Sequence, residues 1–150
     1  MASQKNPVNQ AWYKGIERLK HGIMSEIRCA QIAKVIKYDA KKHTADIQPL
    51  ANMSDGQPSA QYLDIPVAAN CYVIDDVVSH IKSDKAWLSK HDITLPKKKL
   101  MGEGTIVIAV ILDRDNDNWD GSGATYSPET SRLHDANDAI IIGVLGGNIY

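Results

Sequence analysis

Residues 106–112 read IVIAVIL, the longest apolar run in the chain, and this run decides the fold class. Its length and its β-branched side chains predict a strand from Thr105 to Leu112. Because strand side chains point alternately to two faces, a run without polar residues has two apolar faces. We expect one face to be covered by the chain's own core and the other by another body. The run is far shorter than the ~20 residues that a membrane-spanning helix needs.

Four other segments have the composition or the alternation of strands. Alternating apolar and polar residues predict a strand that begins at Ala30, and the polar residues 39–42 predict a turn into a returning strand. Residues 51–59 are rich in turn-forming residues, which indicates a loop. Pro66 places the third strand at an edge or a bulge, since proline cannot donate to the ladder. The four predicted strands cover residues 30–38, 43–50, 62–67 and 139–145.

Two segments repeat their apolar residues at helical spacing. In the first segment the intervals are four, four, three, four and four, and the residues are Val8, Trp12, Ile16, Leu19, Ile23 and Ile27. This predicts an N-terminal amphipathic helix with one apolar stripe, which packs either on its own domain or on a neighbouring subunit. Residues 75–90 predict a second helix, with Asp75 or Asp76 as its N-terminal cap.

The predicted order is three strands, a helix and two strands, with the N-terminal helix in front. This order is typical of the OB-fold, a five-stranded Greek-key barrel with a helix between strands three and four. The sequence therefore predicts a mostly β protein in two parts, an N-terminal helical segment at residues 1–28 and an OB-fold barrel domain at residues 29–150. A chain of 150 residues can bury such a core without a disulfide or a metal ion.

Charge and cysteine content exclude some classes of protein. The chain has 17 Lys and Arg against 18 Asp and Glu, a net charge of -1, whereas proteins that sheathe nucleic acid usually carry a positive excess. The charges are uneven, because residues 1–50 hold nine basic and four acidic residues and residues 101–150 hold two and eight. Two cysteines cannot form a disulfide framework, and no apolar secretory signal leads the chain. We expect a soluble protein from a reducing compartment.

The acidic motif after residue 112 resembles a calcium loop only in part. Asp113, Asp115 and Asp117 have the spacing of the first three ligands, but Asn118 and Ala124 stand where the loop requires glycine and glutamate. The five histidines have no spacing typical of metal ligands. We therefore predict no metal site and no cofactor, and interpret the acidic residues as loop-forming side chains.

Arg132, His134 and Asp135 suggest acid–base chemistry by residue type but not by arrangement. Adjacent side chains on an extended chain point in opposite directions, and no nucleophile motif such as G-x-S-x-G is present. We predict no catalytic residue and conclude that the chain is not an enzyme.

Nucleic-acid binding is the alternative function that the sequence leaves open. OB-folds bind single strands with basic residues and aromatic stacking faces. The basic run 97–99 and the side chains of Tyr38, Tyr62 and Tyr72 have those chemistries. The acidic C-terminal third opposes this function, because it repels phosphates.

The last strand predicts assembly. An apolar strand at a chain terminus is an aggregation hazard unless other chains cover it. We therefore expect obligate association through this strand and through the stripe of the N-terminal helix. The predicted oligomer interface comprises Trp12, Ile16, Leu19, Ile23, Ile27, Ile140, Ile142, Val144, Leu145, Ile149 and Tyr150.

Several short motifs occur in an order that points to a family. They are residues 33–39, 44–50, 63–67 and 102–103, then Asp113, Arg114, Asp115, Asp117 and Trp119, and finally residues 132–135, Asp138 with residues 139–140, and Gly143. Over residues 28–145 the chain resembles the N-terminal OB domain of central spike proteins from phage baseplates and related contractile injection systems. Each motif alone is weak, and the order and spacing carry the resemblance.

The resemblance implies a homotrimeric structural protein in the virion, at the tip of the tail tube, assembled in the cytoplasm of the host bacterium. Its barrels would form a collar that attaches the tip and takes part in penetration of the host envelope. Its partners would be baseplate and tail-tube proteins, with the envelope contacted only transiently and nucleic acid not a primary partner. Many members continue into a β-helical needle, whereas this chain ends soon after Leu145. We therefore expect a separate tip protein, or a short plug that closes the tube.

The resemblance also implies structural roles for the polar motifs. Arg132 and Asp135 would hold the start of the last strand through charge-assisted hydrogen bonds. Residues 113–117 would shape the loop between strands four and five, and Trp119 would anchor that loop by burying its ring. His134 and Asp138 belong to the same motif.

Overall fold

A computed structural model describes residues 7–91 and 94–146 of the chain. It is mostly β, with five antiparallel strands curled into a half-barrel and with helices outside the sheet. The elements, in chain order, are α1 (Pro7–Glu26), β1 (Ala30–Asp39), β2 (Thr44–Pro49), β3 (Tyr62–Pro66), α2 (Val73–Ser83), α3 (Lys85–His91), β4 (Ile106–Ile111) and β5 (Ala139–Val144), with short 3-10 turns at Ala69–Cys71 and Ala136–Asp138.

The strands lie in the order β3-β2-β1-β4-β5, with the long strand β1 in the middle. β1 pairs with β4 through its first half and with β2 along its second half, and a bulge between Val35 and Lys37 bends it. Just after β3, Val67 forms a parallel bridge to Ile141 of β5, where the N–H of Ala68 donates to the Ile141 carbonyl at 2.8 Å. This contact brings the two edges of the sheet together and curls it.

The core lies inside the curled sheet and follows from alternation along the strands. On β4 every second residue, Val107, Ala109 and Ile111, is buried, as the pleat of a strand requires. Met101, from the segment before β4, fills one end of the core and is fully buried. The buried apolar residues are Ala33, Val35, Ala45, Ile47, Tyr62, Ile65, Val67, Cys71, Met101, Val107, Ala109, Ile111, Ala139 and Ile141.

The sequence predictions of five strands and an N-terminal helix are confirmed within one or two residues at the ends. The prediction of a single helix at 75–90 is wrong in detail, because the helix is interrupted at Asp84, between α2 and α3. The Asp84 carboxylate accepts the N–H of Trp87 at 3.0 Å and so starts α3 as a capping residue does. The division at residue 28 stays a prediction.

The predicted helix caps Asp75 and Asp76 lie inside the first turn of α2, and Tyr72 is the capping residue. The Asp75 carboxylate instead accepts the N–H groups of Leu100 at 2.7 Å and Met101 at 2.8 Å. It therefore holds the segment that leads into β4. Among the described residues, no helix combines the length and the hydropathy needed to cross a membrane.

Candidate functional site

The connection between β4 and β5, residues 112–138, brings four of the predicted motif residues together. The Nε of Arg132 donates to Oδ2 of Asp138 at 2.8 Å, and its Nη2 donates to Oδ1 of the same carboxylate at 2.8 Å. Nη2 also lies 3.1 Å from Oδ1 of Asp115 and 2.8 Å from Oδ2 of Asp117. We call Arg132, Asp115, Asp117 and Asp138 the arginine cluster.

Asp115 is fully buried, and donors surround its carboxylate. The N–H and the hydroxyl of Thr130 donate to Oδ2 at 2.8 and 2.7 Å, and the N–H of Asp117 donates to Oδ1 at 2.9 Å. The hydrogen bond from the Asp117 N–H, followed by the one from the Thr130 hydroxyl, holds the pKa of Asp115 below its usual range. The ionised carboxylate thus ties two distant parts of the connection to each other.

Asp138 is also fully buried and stands immediately before β5. Its Oδ1 accepts the N–H of Asn116 at 3.1 Å, and its backbone carbonyl accepts the N–H of Leu112 at 2.9 Å. The hydrogen bonds from Arg132 to Asp138, and then to Asp117, raise the pKa of the guanidinium above its ordinary value. Arg132 therefore stays charged and joins the start of β5 to the end of β4.

The three carboxylates of the cluster offer oxygen atoms within 4.8 Å of one another, which is a possible cation site. The guanidinium of Arg132 already lies among these oxygens, as a metal ion would. A metal would have to displace this cation, so the donor set fits arginine rather than a metal. The guanidinium of Arg132 donates to the carboxylates around it, and such internal hydrogen bonds hold the connection in one conformation.

The remaining motif residues lie around the cluster. Asp135 caps the turn before β5, because its Oδ1 accepts the N–H of Asn137 at 2.9 Å. His134 has a left-handed backbone with φ 50° and places Nε2 3.2 Å from Oδ1 of Asp113. The predicted burial of the Trp119 ring is wrong, since its side chain is 42% exposed. The indole N–H instead donates to the carbonyl of Ser122 at 2.9 Å, because the loop closes on itself there.

The outer side of the sheet carries an apolar surface that we call the outer sheet face. Two cross-strand rows form it: Ile32 pairs with Ile108, and Val110 pairs with Ile140. The face consists of Ile32, Ile106, Ile108, Val110, Ile140 and Ile142, of which Ile32 is 49% and Ile142 44% exposed. The core covers the inner face of β4, as predicted, whereas its outer face is half-buried in the described chain.

The predicted interface residues at the C-terminus differ in position. Ile140 and Ile142 lie on the outer sheet face, and Leu145 is exposed just beyond β5. Val144 packs against the core, because the register shift between Ile108 and Ala109 turns it inward opposite Val107. Ile149 and Tyr150 lie outside the described residues.

The stripe of α1 is exposed along the helix. Trp12 is 73% and Leu19 is 66% exposed, and Ile16, Ile23 and Ile27 are exposed as well. No strand or helix of the described chain packs closely on α1. The stripe is therefore exposed within the described residues, and its packing on a neighbouring subunit stays a prediction.

The aromatic residues proposed for nucleic-acid stacking make contacts within the folded chain. Tyr62 is buried, and its hydroxyl accepts Nε2 of Gln31 at 2.6 Å. The ring of His43 stacks on Tyr72 at 3.7 Å, and Nδ1 of His43 lies 3.3 Å from the Tyr38 hydroxyl. These contacts leave the three tyrosines poorly placed for base stacking. Comparison with protein-family models and with curated proteins finds no match for the chain.

Proposed function

We propose that the chain is an OB-fold structural component of a phage tail baseplate, or of a related contractile injection system. Copies of it would form a homotrimeric collar at the tip of the tail tube. An OB barrel is supported by the strand order β3-β2-β1-β4-β5, by the parallel contact between the β3 and β5 edges, and by helices between β3 and β4. The family resemblance given above supplies the link to the baseplate.

The observation that carries the proposal is the apolar, half-buried outer sheet face, with Ile32 and Ile142 exposed on it. Its isoleucine and valine rows run across three neighbouring strands, so they form one surface rather than scattered apolar residues. Continuous apolar patches on soluble proteins mark interaction sites, because their exposure to water is unfavourable. Covering this face with further copies accounts for β4 being apolar on both sides.

The arginine cluster fits the mechanical role of a collar. Two fully buried carboxylates and one guanidinium bind the long 112–138 connection to the ends of β4 and β5. Such charge-assisted contacts restrict the connection, whereas an unpaired loop of this length would move. The barrel would then transmit force as a stiff body between the tail tube and the tip.

The mass of the purified chain in solution, measured by light scattering, tests the proposal. Three copies of the 16.5 kDa chain, about 50 kDa, are expected. Ile32→Asp on the outer sheet face should weaken association, whereas Leu63→Asp, at an exposed apolar residue of β3, should not. Circular dichroism checks that both variants are folded. A stable monomer at working concentration would overturn the proposal.

The location in the virion needs its own measurement. An antibody against the chain should label the tip of purified tails from a producing strain in electron micrographs. Labelling absent from the particles would contradict the baseplate role even if the chain is trimeric. Binding of single-stranded DNA that weakens steeply with salt would instead support the nucleic-acid alternative.

A further inference from the structure

The apolar residues of α1 follow an eleven-residue repeat. Val8 and Leu19 are eleven residues apart, as are Trp12 and Ile23, and the intervals from Trp12 to Ile23 are four, three and four. A repeat of eleven residues over three turns gives 3.67 residues per turn, close to the period of a straight α-helix. The stripe therefore stays on one face along the whole helix, about 30 Å for 20 residues. A surface this long, straight and narrow fits another helix.

The stripe exposes enough surface for an interface. Trp12, Ile16, Leu19 and Ile23 are each about half-exposed or more. With Ile27 they present on the order of 600 Å² of largely apolar area, at the upper end of what a soluble monomer usually leaves in one patch. Standard interfaces bury roughly 800 Å² per partner, so the helix alone supplies most of that.

The stripe of α1 has large apolar side chains on one flank and small residues on the other. Ala11 and Gly15 lie beside Trp12 and Ile16, and together they line an open apolar groove of ≈ 530 Å³. Apart from its chain neighbours and the backbone of α1, no atom of the described residues stands within 4 Å of the position that a Cβ would take on Gly15, so the recess can receive a side chain. In a parallel bundle with rotational symmetry, the bulky flank of each helix faces the small flank of the next. The two sides of α1 are therefore complementary between copies.

We propose that α1 packs in parallel against α1 of the other copies of this chain and forms a helical bundle on the symmetry axis. This inference rests on the proposed homotrimer and names the element that holds it together. Lys20 borders the stripe, whereas Arg18 and Glu17 lie farther round the helix on opposite sides, so the charges near the contact have both signs. Because the proposed contact is apolar and salt screens only exposed charges, self-association should hold as salt rises. An acidic partner would show the opposite salt dependence.

A matched pair of variants tests the contact in the full chain. Leu19→Asp places a charge on the stripe, and His21→Asp makes a similar change on the polar side of the same helix, two residues away. Leu19→Asp should weaken association at least about 100-fold, because a buried leucine is lost and a carboxylate is buried. His21→Asp should keep the wild-type mass. Sedimentation measures the mass, and circular dichroism shows whether the barrel remains folded.

The exposed thiol of Cys29 tests the parallel arrangement, since it lies three residues beyond the end of α1. Parallel helices bring these thiols together, whereas antiparallel helices separate them by roughly the helix length, about 30 Å. A short bis-maleimide should cross-link wild-type chains but not Cys29→Ser chains. No cross-link in an associated wild type would overturn the parallel bundle.

The outcomes separate this inference from the proposed function. If wild-type chains are monomeric, both are overturned. If Leu19→Asp retains the wild-type mass, or if wild-type association weakens as salt rises, the α1 bundle is overturned. The outer sheet face would then be the contact that holds the copies together, and Ile32→Asp tests it. If Leu19→Asp dissociates and His21→Asp does not, the bundle is supported.

Discussion

Replacing Asp138 with asparagine removes one negative charge from the arginine cluster and almost no volume. In the native site three donors point at this carboxylate: Nε and Nη2 of Arg132 at 2.8 Å each, and the N–H of Asn116 at 3.1 Å. An amide has one oxygen, so the new NH2 group must face at least one of these donors. The substitution therefore removes a charge pair and adds an opposed donor.

The expected cost follows from burial. Removing one partner of a buried ion pair costs about 3–5 kcal/mol, because the remaining charge loses its compensation. Asp138 is fully buried, whereas the Arg132 side chain is 24% exposed and partly solvated. We therefore expect the lower end, about 3 kcal/mol of unfolding free energy. For a chain of this size that corresponds to a fall in Tm on the order of 10 °C.

Urea unfolding, followed by circular dichroism at one protein concentration, measures this loss. Asp120→Asn is the matched control in the same connection, since Asp120 accepts the N–H of Ser122 at 2.8 Å and asparagine retains an acceptor. The control should change the unfolding free energy by less than about 0.5 kcal/mol. If Asp138→Asn unfolds as the control does, the arginine cluster does not stabilise the barrel.

Three further predictions concern titration and reactivity. The pKa of Asp115 is lowered in the folded chain, so its contribution to stability should be lost as the pH falls below the ordinary aspartate value. Thr130→Val removes one donor to this carboxylate and should therefore reduce the loss of stability in acid unfolding curves. Equal curves for the variant and the wild type would contradict this. Burial raises the pKa of Tyr38 to about 12, so stability should fall as the pH rises from about 10 towards that value; an absorbance titration showing Tyr38 ionising at its ordinary pKa would refute this. Burial raises the pKa of Cys71, whereas Cys29 is exposed. A thiol reagent should therefore label one cysteine per native chain and both cysteines after denaturation. Rapid labelling of Cys71 in the native chain would contradict this.

Local patterns predicted most of the fold because strands and amphipathic helices follow from neighbouring residues. Alternation along β1 and β2 is enough to predict a hairpin, since the polar turn lies between them. The break at Asp84 was missed because helical spacing continues across it. The sequence predicts Asp75 or Asp76 as a cap, whereas the Asp75 carboxylate accepts the N–H of Leu100, 25 residues away, which no local pattern indicates.

The candidate site depended more on distant contacts. The sequence placed Arg132 at the start of the last strand, but its pairing with Asp115, 17 residues away, needs the fold of the connection. The resemblance implies a buried Trp119 ring, whereas the ring is 42% exposed and its indole N–H donates to the Ser122 carbonyl within the loop. No local signal distinguishes these cases.

The strands, the leading helix and the apolar stripe on that helix follow from the amino-acid pattern, because each depends on periodicity within a short window. Which side of β5 faces water and which carboxylates surround Arg132 depend on tertiary contacts. The exposure of the α1 stripe within the described residues is likewise visible only in the folded chain. The register of Val144 against Val107 and the return of residues 130–132 to Asp115 join residues far apart in the chain. Such contacts form only when the whole sheet has closed, so no short stretch of sequence encodes them.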